Sequence, residues 1–254
     1  MRIRSKNIAE SVWRPISLLF AVILIWQIIT AFEIVDRFLL PPPIAVIRAF
    51  ARDFPLLMHH AAHTLTQALA GLAIAIAMGY LAAIGMDRFA YIRGALYPLL
   101  VLSQTVPYVA IAPLLVLWLG YGMAPKIVLV SLACFFPIAV GVYDGIRGIP
   151  REYLDELSVL GGSYLEGLCF VKLPMSLPGF FSSAKIAVTY CFVGAVVAEW
   201  MGGTRGLGVY MTRVRRSFEF DKMFAVIFLI VIISLCLMWI VKLLERRAIK
   251  NVKI

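Results

Sequence analysis

Long apolar runs that recur along the chain limit what this sequence can fold into. Of its 254 residues, 62% are hydrophobic and only 15% are charged, and the mean hydropathy is +0.93. Soluble proteins carry roughly 45–50% apolar and roughly 25% charged residues. A helix needs about 20 predominantly apolar residues to cross the hydrocarbon core of a membrane. The sequence therefore predicts an all-α polytopic membrane protein with six transmembrane helices.

The predicted spans follow one another with short connections, in a single transmembrane domain over 1–254 with its core at about 60–245. In chain order they are 16–32, 65–86, 94–119, 127–143, 178–200 and 223–241. Pro98, Pro107 and Pro113 predict that the third span is kinked or broken, because proline removes a backbone donor and clashes with the preceding turn. Gly71 and Gly79 predict that the second span approaches another helix closely.

The distribution of Lys and Arg predicts the orientation of the spans. With six spans both termini lie on one side, and the tails and connections of that side carry more basic residues than the other. The positive-inside rule then places the tail 1–15 and the segment 144–177 in the cytoplasm. The net charge of +10 is attributed to orientation and anionic lipid rather than to nucleic acid. Arg213, Arg215 and Arg216 lie on the external side and are the exception.

The segment 144–177 contains two short polar stretches. Pro150 is suited to the first turn of a helix, and Gly161 followed by Gly162 can end that helix in a left-handed conformation. Ser163 and Glu166 have the S-x-x-E spacing of a capping box, which predicts a second helix that stops near Leu173–Pro174.

Neither predicted helix is long or apolar enough to span a membrane. Glu152, Asp155 and Glu156 give the first helix an acidic edge, and three leucines give it a narrow apolar stripe, at positions 154, 157 and 160. The pair is therefore either a docking surface for a cytoplasmic partner or a connector that covers the ends of the bundle.

The same segment resembles the signature E-A-A-x3-G-x9-I-x-L-P of the inner-membrane permeases of ABC importers. Asp155 stands at the Glu position, Glu156–Leu157 at the two Ala positions and Gly161 at the Gly position. Val171 stands at the Ile position, and Leu173–Pro174 completes the signature. Asp for Glu and Glu for Ala are departures from it, whereas the spacing from Gly161 to Leu173–Pro174 is intact.

Three more stretches resemble the nitrate/sulfonate/taurine branch of these permeases. They are "LLPPPIAVIRAF", "PYVAIAPLLVLWLGYG" and "GAVVAEWMGGTRGLGVYM". Together with the signature they run in order over 40–211. The resemblance implies a six-helix permease of the bacterial inner membrane that pairs with a second copy. It also implies two cytoplasmic ABC ATPase subunits and a periplasmic or extracellular binding protein as partners.

In that family the signature segment is the coupling helix, docked on the ATPase. The resemblance therefore implies this role for Asp155, Glu156, Leu157, Gly161, Val171, Leu173 and Pro174. The sequence has no G-x-x-x-x-G-K-[ST] motif, so ATP and Mg²⁺ are expected on the separate ATPase, and this chain is expected to be neither an enzyme nor a cofactor-binding protein. The alternatives are an ion-coupled secondary transporter and an integral membrane enzyme.

Polar residues inside apolar runs are candidates for a translocation pathway, because their burial costs free energy. Gln104 and Tyr108, in the broken third span, are two of them, although Gln104 could instead join helices. Glu199 is the third, either a solvated carboxylate beside the interfacial Trp200 or part of a gate or a binding-protein contact. His59 and His63 have i, i+4 spacing, but no neighbouring carboxylate or cysteine completes a ligand set, so no metal site is predicted.

The solute is not specified by these residues alone. The segments "SQTVP" and "CFFPIAV" resemble permeases for thiamine pyrimidine precursors most closely. Sulfonates, taurine, nitrate and riboflavin remain alternatives.

Overall fold

The computed structural model describes the backbone of residues 3–251, with side chains for residues 13–14 and 17–250. This part of the chain is helical and contains no β-strand. The helices are α1 (Ile3–Ala31), α2 (Pro43–Arg52), α3 (Phe54–Arg88), α4 (Ala90–Ser103), α5 (Tyr108–Leu119), α6 (Ala124–Arg147), α7 (Arg151–Val159), α8 (Tyr164–Glu166), α9 (Leu173–Trp200), α10 (Leu207–Arg216) and α11 (Phe220–Asn251). A π-helical segment, Gly167–Lys172, joins α8 to α9.

Four stretches of helix within the described residues are long and apolar enough to cross a membrane. They are Phe54–Arg88, Ala124–Arg147, Tyr164–Trp200 and Phe220–Lys250. A fifth span results if α4 and α5 form one broken span. The first predicted span falls in α1, and the apolar part of α1 that could be assessed among the described residues, Ser17–Ala31, is shorter than a span. The all-helical membrane class is confirmed, whereas the number of six spans stays a prediction.

The chain divides into two compact units. One consists of Met1–Met58 with Met211–Leu229, and the other of His59–Tyr210 with Ile230–Ile254. In the first unit, Trp26 packs against Phe224 and stacks on Phe228 at 5.9 Å. The second unit contains the main apolar core and all the candidate site residues. The predictions of one domain over 1–254 and of a core at 60–245 stay predictions.

Small residues bring the helices of the second unit into close contact. A Cβ atom at Gly71 would lie 2.6 Å from Val130 of α6, and one at Gly79 would lie 2.7 Å from Ile138. The predicted close approach of the second span is therefore confirmed. Between α6 and α9, a Cβ at Gly179 would lie 2.6 Å from the carbonyl oxygen of Gly141. These contacts fix α3 and α9 against α6.

The third predicted span is broken, as its prolines indicate. The axes of α4 and α5 differ by 103°, and the break lies between Ser103 and Tyr108. Pro98 and Pro113 lie inside α4 and α5, so Pro107 is the proline at the break. The hydroxyl groups of Ser103 and Thr105 donate to the carbonyls of Leu100 and Leu102 in the last turn of α4, which adds side-chain hydrogen bonds at the break.

The prediction that a helix stops near Leu173–Pro174 is wrong. Helical structure continues from Tyr164 through Pro174 to Trp200. Pro174 cannot donate to a carbonyl one turn earlier, and its ring would clash with that carbonyl in a regular α-helix. The wider turns of Gly167–Lys172 lie at this position and accommodate the proline without ending the helix.

Candidate functional site

Two of the three predicted pathway residues lie together at the break between α4 and α5. Gln104 and Tyr108 line a cavity of about 250 Å³, together with Phe136 and Pro137 of α6 and Tyr190 of α9. The Gln104 side chain is exposed and makes no hydrogen bond to any residue that the structure describes. Its amide is therefore available to a solute, and both the pathway role and the helix-joining alternative stay predictions.

Uncharged groups surround this cavity. None of its lining residues, all of which are described, carries a formal charge. An adjoining cavity of about 470 Å³ shares Gln104, Pro137 and Tyr190 and extends past Gly141 to Asp144. The two cavities offer aromatic faces, an amide and one carboxylate, a set suited to a flat, neutral solute with polar edges.

Glu199 does not belong to this cavity. The residue is only 1% exposed, so the interpretation as a solvated carboxylate at the membrane surface is wrong. Its Oε1 accepts a hydrogen bond from the Thr64 hydroxyl at 2.9 Å, and its Oε2 accepts one from the Gly208 amide at 2.7 Å. A buried carboxylate is costly unless hydrogen bonds compensate it, and here two do.

Three side chains hold three consecutive amides at the start of α10. The Gly206 amide donates to Nδ1 of His60 at 3.0 Å, and the Leu207 amide donates to Oγ1 of Thr64 at 2.8 Å. With the bond from Gly208 to Glu199, each amide has its own acceptor. The first amides of a helix have no partner within the helix, so this arrangement is an N-terminal cap built from α3 and α9.

The cap requires glycine at position 206. Gly206 has φ +127°, and a Cβ atom there would overlap the Glu199 carboxylate. The stretch "GGTRGLG" thus allows the chain to pass closely over a buried carboxyl group. His60 serves here as a hydrogen-bond acceptor, a role that its spacing from the other histidines did not suggest.

Further buried polar groups surround the cap. His60, Thr64 and Gln67 recur at the spacing of one helix face and are all at most 3% exposed. Lys126 is 5% exposed, and a Cβ at Gly203 would lie 2.5 Å from its Nζ. Thr64, Gln67 and Lys126 were not predicted as site residues, although each is a polar residue next to or within an apolar run.

The predicted coupling residues are arranged around a helix end. Residues Asp155, Glu156 and Gly161 are exposed, and Leu157, Val171, Leu173 and Pro174 are partly buried. The Gly161 amide donates to the Ser158 carbonyl, and the Gly162 amide donates to the Leu157 carbonyl at 2.9 Å. With Gly161 at φ +77°, this is the Schellman motif that the Gly-Gly pair predicts. The capping box of Ser163 and Glu166 is also present.

One detail of the predicted apolar stripe is wrong. Leu154 and Leu157 are partly buried, whereas Leu160 is 83% exposed. Leu160 is the last residue before the left-handed turn, so it leaves the helix face that the other two share. Val159 beside it is 85% exposed, and Phe170 is 77% exposed. The end of α7 therefore carries apolar side chains that no described residue covers.

The segment is attached to the end of α3 by a contact that the sequence did not predict. Oδ2 of Asp87 accepts hydrogen bonds from Nζ of Lys172 at 2.7 Å and from the Tyr164 hydroxyl at 3.0 Å. The Arg88 guanidinium lies 4.7 Å from the centre of the Tyr164 ring. This half-buried cluster connects the π-helical segment and α8 to α3.

These features agree with the comparisons to known proteins. Residues 75–250 match the family of binding-protein-dependent transport system inner membrane components. A probable ABC transporter permease protein of Haemophilus influenzae is 38% identical, over 94% of this chain and 98% of the relative. The chain belongs to this family and is an ABC transporter permease.

Two further relatives are named for the solute that they transport. A formylaminopyrimidine transport permease of Halalkalibacterium halodurans is 34% identical over 91% of this chain and 92% of its own length. A riboflavin transport system permease of Chloroflexus aurantiacus is 30% identical over 97% and 94%. Because the chain belongs to this family, the family favours neither of the two alternatives, a secondary transporter and a membrane enzyme.

A solved structure supports the fold. An amino acid ABC transporter has a TM-score of 0.64 to this chain at 14% identity, over 78% of this chain and 96% of the other. At that identity the likeness concerns the fold alone.

Proposed function

We propose that this chain is the membrane-spanning subunit of an ATP-driven importer and moves a small organic solute delivered by a binding protein. It works as a homodimer with two cytoplasmic ABC ATPase subunits, which bind ATP and Mg²⁺. It lies in the bacterial inner membrane with both termini in the cytoplasm. Its family supports this assembly, and the exposed end of α7 supports a docking role for the segment 144–177.

The coupling role rests on an exposed surface with a firm attachment. Val159 and Leu160 form an apolar tip next to the acidic residues Asp155 and Glu156, which suits a groove on another protein. Behind the tip, Asp87 attaches the segment to α3, and the continuous helix attaches it to α9. A displacement of the tip by the ATPase would therefore move both helices.

Replacing Asp87 with Asn tests this attachment. Asn keeps one acceptor but loses the charge that attracts Lys172, and a hydrogen bond to a charged group contributes about 1.5–3 kcal/mol. We expect ATP-driven uptake to fall about three- to tenfold while the ATPase rate of the complex stays near normal. Uptake and phosphate release are measured together in proteoliposomes.

The control for this variant is Glu33→Gln. Glu33 pairs with Arg37 at 3.1 Å, but both side chains are more than 60% exposed, and exposed pairs contribute little. An equal loss of uptake in both variants would show that the Asp87 cluster has no special role in coupling.

The uncharged cavity at the helix break is the observation that points to the solute. Nitrate and an aliphatic sulfonate are anions, and taurine is a zwitterion with an anionic sulfonate, so a cationic partner in the cavity would be expected for each of them. Gln104, Tyr108 and Tyr190 instead offer an amide and aromatic faces. We therefore propose a thiamine pyrimidine precursor of the formylaminopyrimidine type as the solute, with riboflavin as the neutral alternative.

Gln104→Leu is the corresponding test. Leu retains much of the side-chain volume but removes the amide, and losing one hydrogen bond to a neutral solute costs about 1 kcal/mol. We expect the concentration of loaded binding protein that gives half-maximal uptake of formylaminopyrimidine to rise about fivefold. Thr66→Ala is the control, because it changes an exposed residue whose hydroxyl bonds within its own helix and which lines neither cavity.

Parallel uptake assays with taurine and riboflavin separate the substrate from the transport function. Uptake of taurine alone would overturn the pyrimidine proposal but leave the proposed importer function intact. Absence of ATP-dependent uptake for every solute, with an assembled and hydrolysing complex, would count against the importer itself.

A further inference from the structure

The end of α10 contains a residue in an unusual conformation. The Glu219 amide donates to the Val214 carbonyl at 2.9 Å, and the Phe218 amide donates to the Arg215 carbonyl at 3.2 Å. These two bonds form a second Schellman motif, like the one at Gly161. Here the left-handed position, at φ +59°, is occupied by Phe218 rather than by glycine. A bulky residue in this region is uncommon and strained, and such outliers concentrate at functional positions.

The strained turn presents an aromatic cluster to the surroundings. The Phe218 ring lies 5.7 Å from that of Phe38, which lies 5.1 Å from that of Phe220. Yet Phe218 is 63% exposed and Phe38 is 49% exposed. Burial within the chain therefore does not account for an aromatic residue at this position, since glycine would form the same turn without strain.

Three exposed arginines precede the aromatic cluster, on the last turns of α10. Arg213, Arg215 and Arg216 form no ion pair with any residue that the structure describes. The nearby acid Glu219 already pairs with Lys222 at 2.6 Å, and Lys222 also lies 3.5 Å from Asp53. The carbonyl end of a helix favours cations, but that effect does not explain the neighbouring exposed rings.

The exposed arginines and the aromatic cluster, together called the patch, lie next to the start of a predicted membrane span. The last predicted span belongs to α11, which begins at Phe220, directly after the strained turn. Further along the same helix, Ile227 and Phe228 are exposed, as expected for a surface in contact with lipid. Phe38, Phe218 and Phe220 thus lie at the start of a span, where headgroups and aromatic side chains meet.

We propose that Arg215, Arg216 and Phe218, with Phe38 and Phe220, form a binding site for the headgroup of an anionic phospholipid such as phosphatidylglycerol. Guanidinium groups bind phosphate oxygens through paired N–H donors. The rings then contact the glycerol and upper acyl region. A protein partner with an acidic surface would also suit the arginines, but the rings at the start of a span favour lipid. This site depends on neither the proposed solute nor the proposed coupling role.

A fluorophore beside the patch tests the proposal. The exposed Ser217 is changed to Cys and labelled, with the exposed Cys169 and Cys236 changed to Ser. The intact permease is placed in phosphatidylcholine nanodiscs that contain a few per cent of headgroup-spin-labelled phosphatidylglycerol or phosphatidylcholine. We expect the labelled phosphatidylglycerol to quench several-fold more strongly, since each basic residue near an anionic surface gives about a fivefold preference.

The measured quantity is the ratio of quenching by labelled phosphatidylglycerol to quenching by labelled phosphatidylcholine. The double variant Arg215→Gln, Arg216→Gln is expected to reduce this ratio to about one. The control is Arg246→Gln, Arg247→Gln, which removes the same charge from two exposed residues near the other end of α11 and should leave the ratio unchanged. Phe218→Gly keeps the turn and is expected to lower the ratio without loss of folded protein. Equal quenching by both lipids in the labelled permease that keeps Arg215, Arg216 and Phe218 would overturn the proposal. Protection of the label by the binding protein, with equal quenching, would assign the surface to protein docking instead.

Discussion

Replacing Gly161 with Val is expected to reduce ATP-driven uptake at least about tenfold while the protein still inserts and the complex still hydrolyses ATP. Gly161 has φ +77°, and a side chain in this conformation costs about 1–2 kcal/mol. No atom lies within 4 Å of a Cβ at this position, so the expected effect comes from the backbone. A branched residue would unwind the end of α7 and displace Val159 and Leu160.

The matched control is Gly94→Val. A Cβ at Gly94 also meets no atom within 4 Å, but Gly94 lies within α4 in an ordinary helical conformation. Uptake and phosphate release are measured in the same proteoliposomes, with protein amounts determined by immunoblot. Normal uptake by the Gly161 variant would falsify the coupling role of this segment.

Local features of this fold could be predicted because they depend on residues a few positions apart. The left-handed turn at Gly161 and the capping box of Ser163 and Glu166 each involve at most six consecutive residues, and both are present. The same turn at Phe218 gave no signal, because the sequence rule depends on glycine. The turn thus went unpredicted where the sequence departs from the usual residue, which is also where we propose a lipid site.

Helix boundaries were harder to predict than helices. Pro174 was expected to end a helix, but the π-helical turns at Gly167–Lys172 allow the helix to continue. Pro107 marks the break in the third span, whereas Pro98 and Pro113 lie within helices. One proline thus interrupts a helix and another does not, depending on the neighbouring turns, which local sequence does not specify.

The partners of Glu199 could not be predicted from the sequence. Its hydrogen bond to Thr64 joins residues 135 positions apart, and the bond from Gly206 to His60 joins residues 146 apart. Sequence patterns indicate that a carboxylate near an apolar run is unusual, but not which helix compensates it. The same holds for Asp87 and Lys172, which are 85 positions apart.

Glu199→Ala is expected to lower stability more than any other single change at the candidate sites. The substitution leaves the Gly208 amide and the Thr64 hydroxyl buried without their acceptor. A buried donor left without its acceptor costs about 1–3 kcal/mol, so the two losses amount to roughly 2–6 kcal/mol. At about 2–4 °C per kcal/mol for a chain of this size, the melting temperature should fall by roughly 10 °C. Thermal unfolding of the purified permease in detergent measures this change in melting temperature. Uptake should also be lost, because the start of α10 is released.

Conservative variants distinguish the stability that the hydrogen-bonded cap contributes from a general effect of removing a carboxyl group. Glu199→Gln keeps one acceptor but turns the other group into a donor, so it should cost about half as much. Thr64→Val removes the hydroxyl that bridges Leu207 and Glu199, whereas Thr64→Ser keeps it and should restore most of the stability. Glu152→Ala, at an exposed position on α7, should leave the melting temperature unchanged. If Thr64→Val, which keeps the γ-methyl group, were as stable as the unchanged protein while Thr64→Ser were destabilised, packing of that methyl group rather than the hydrogen-bonded cap would hold α10 in place.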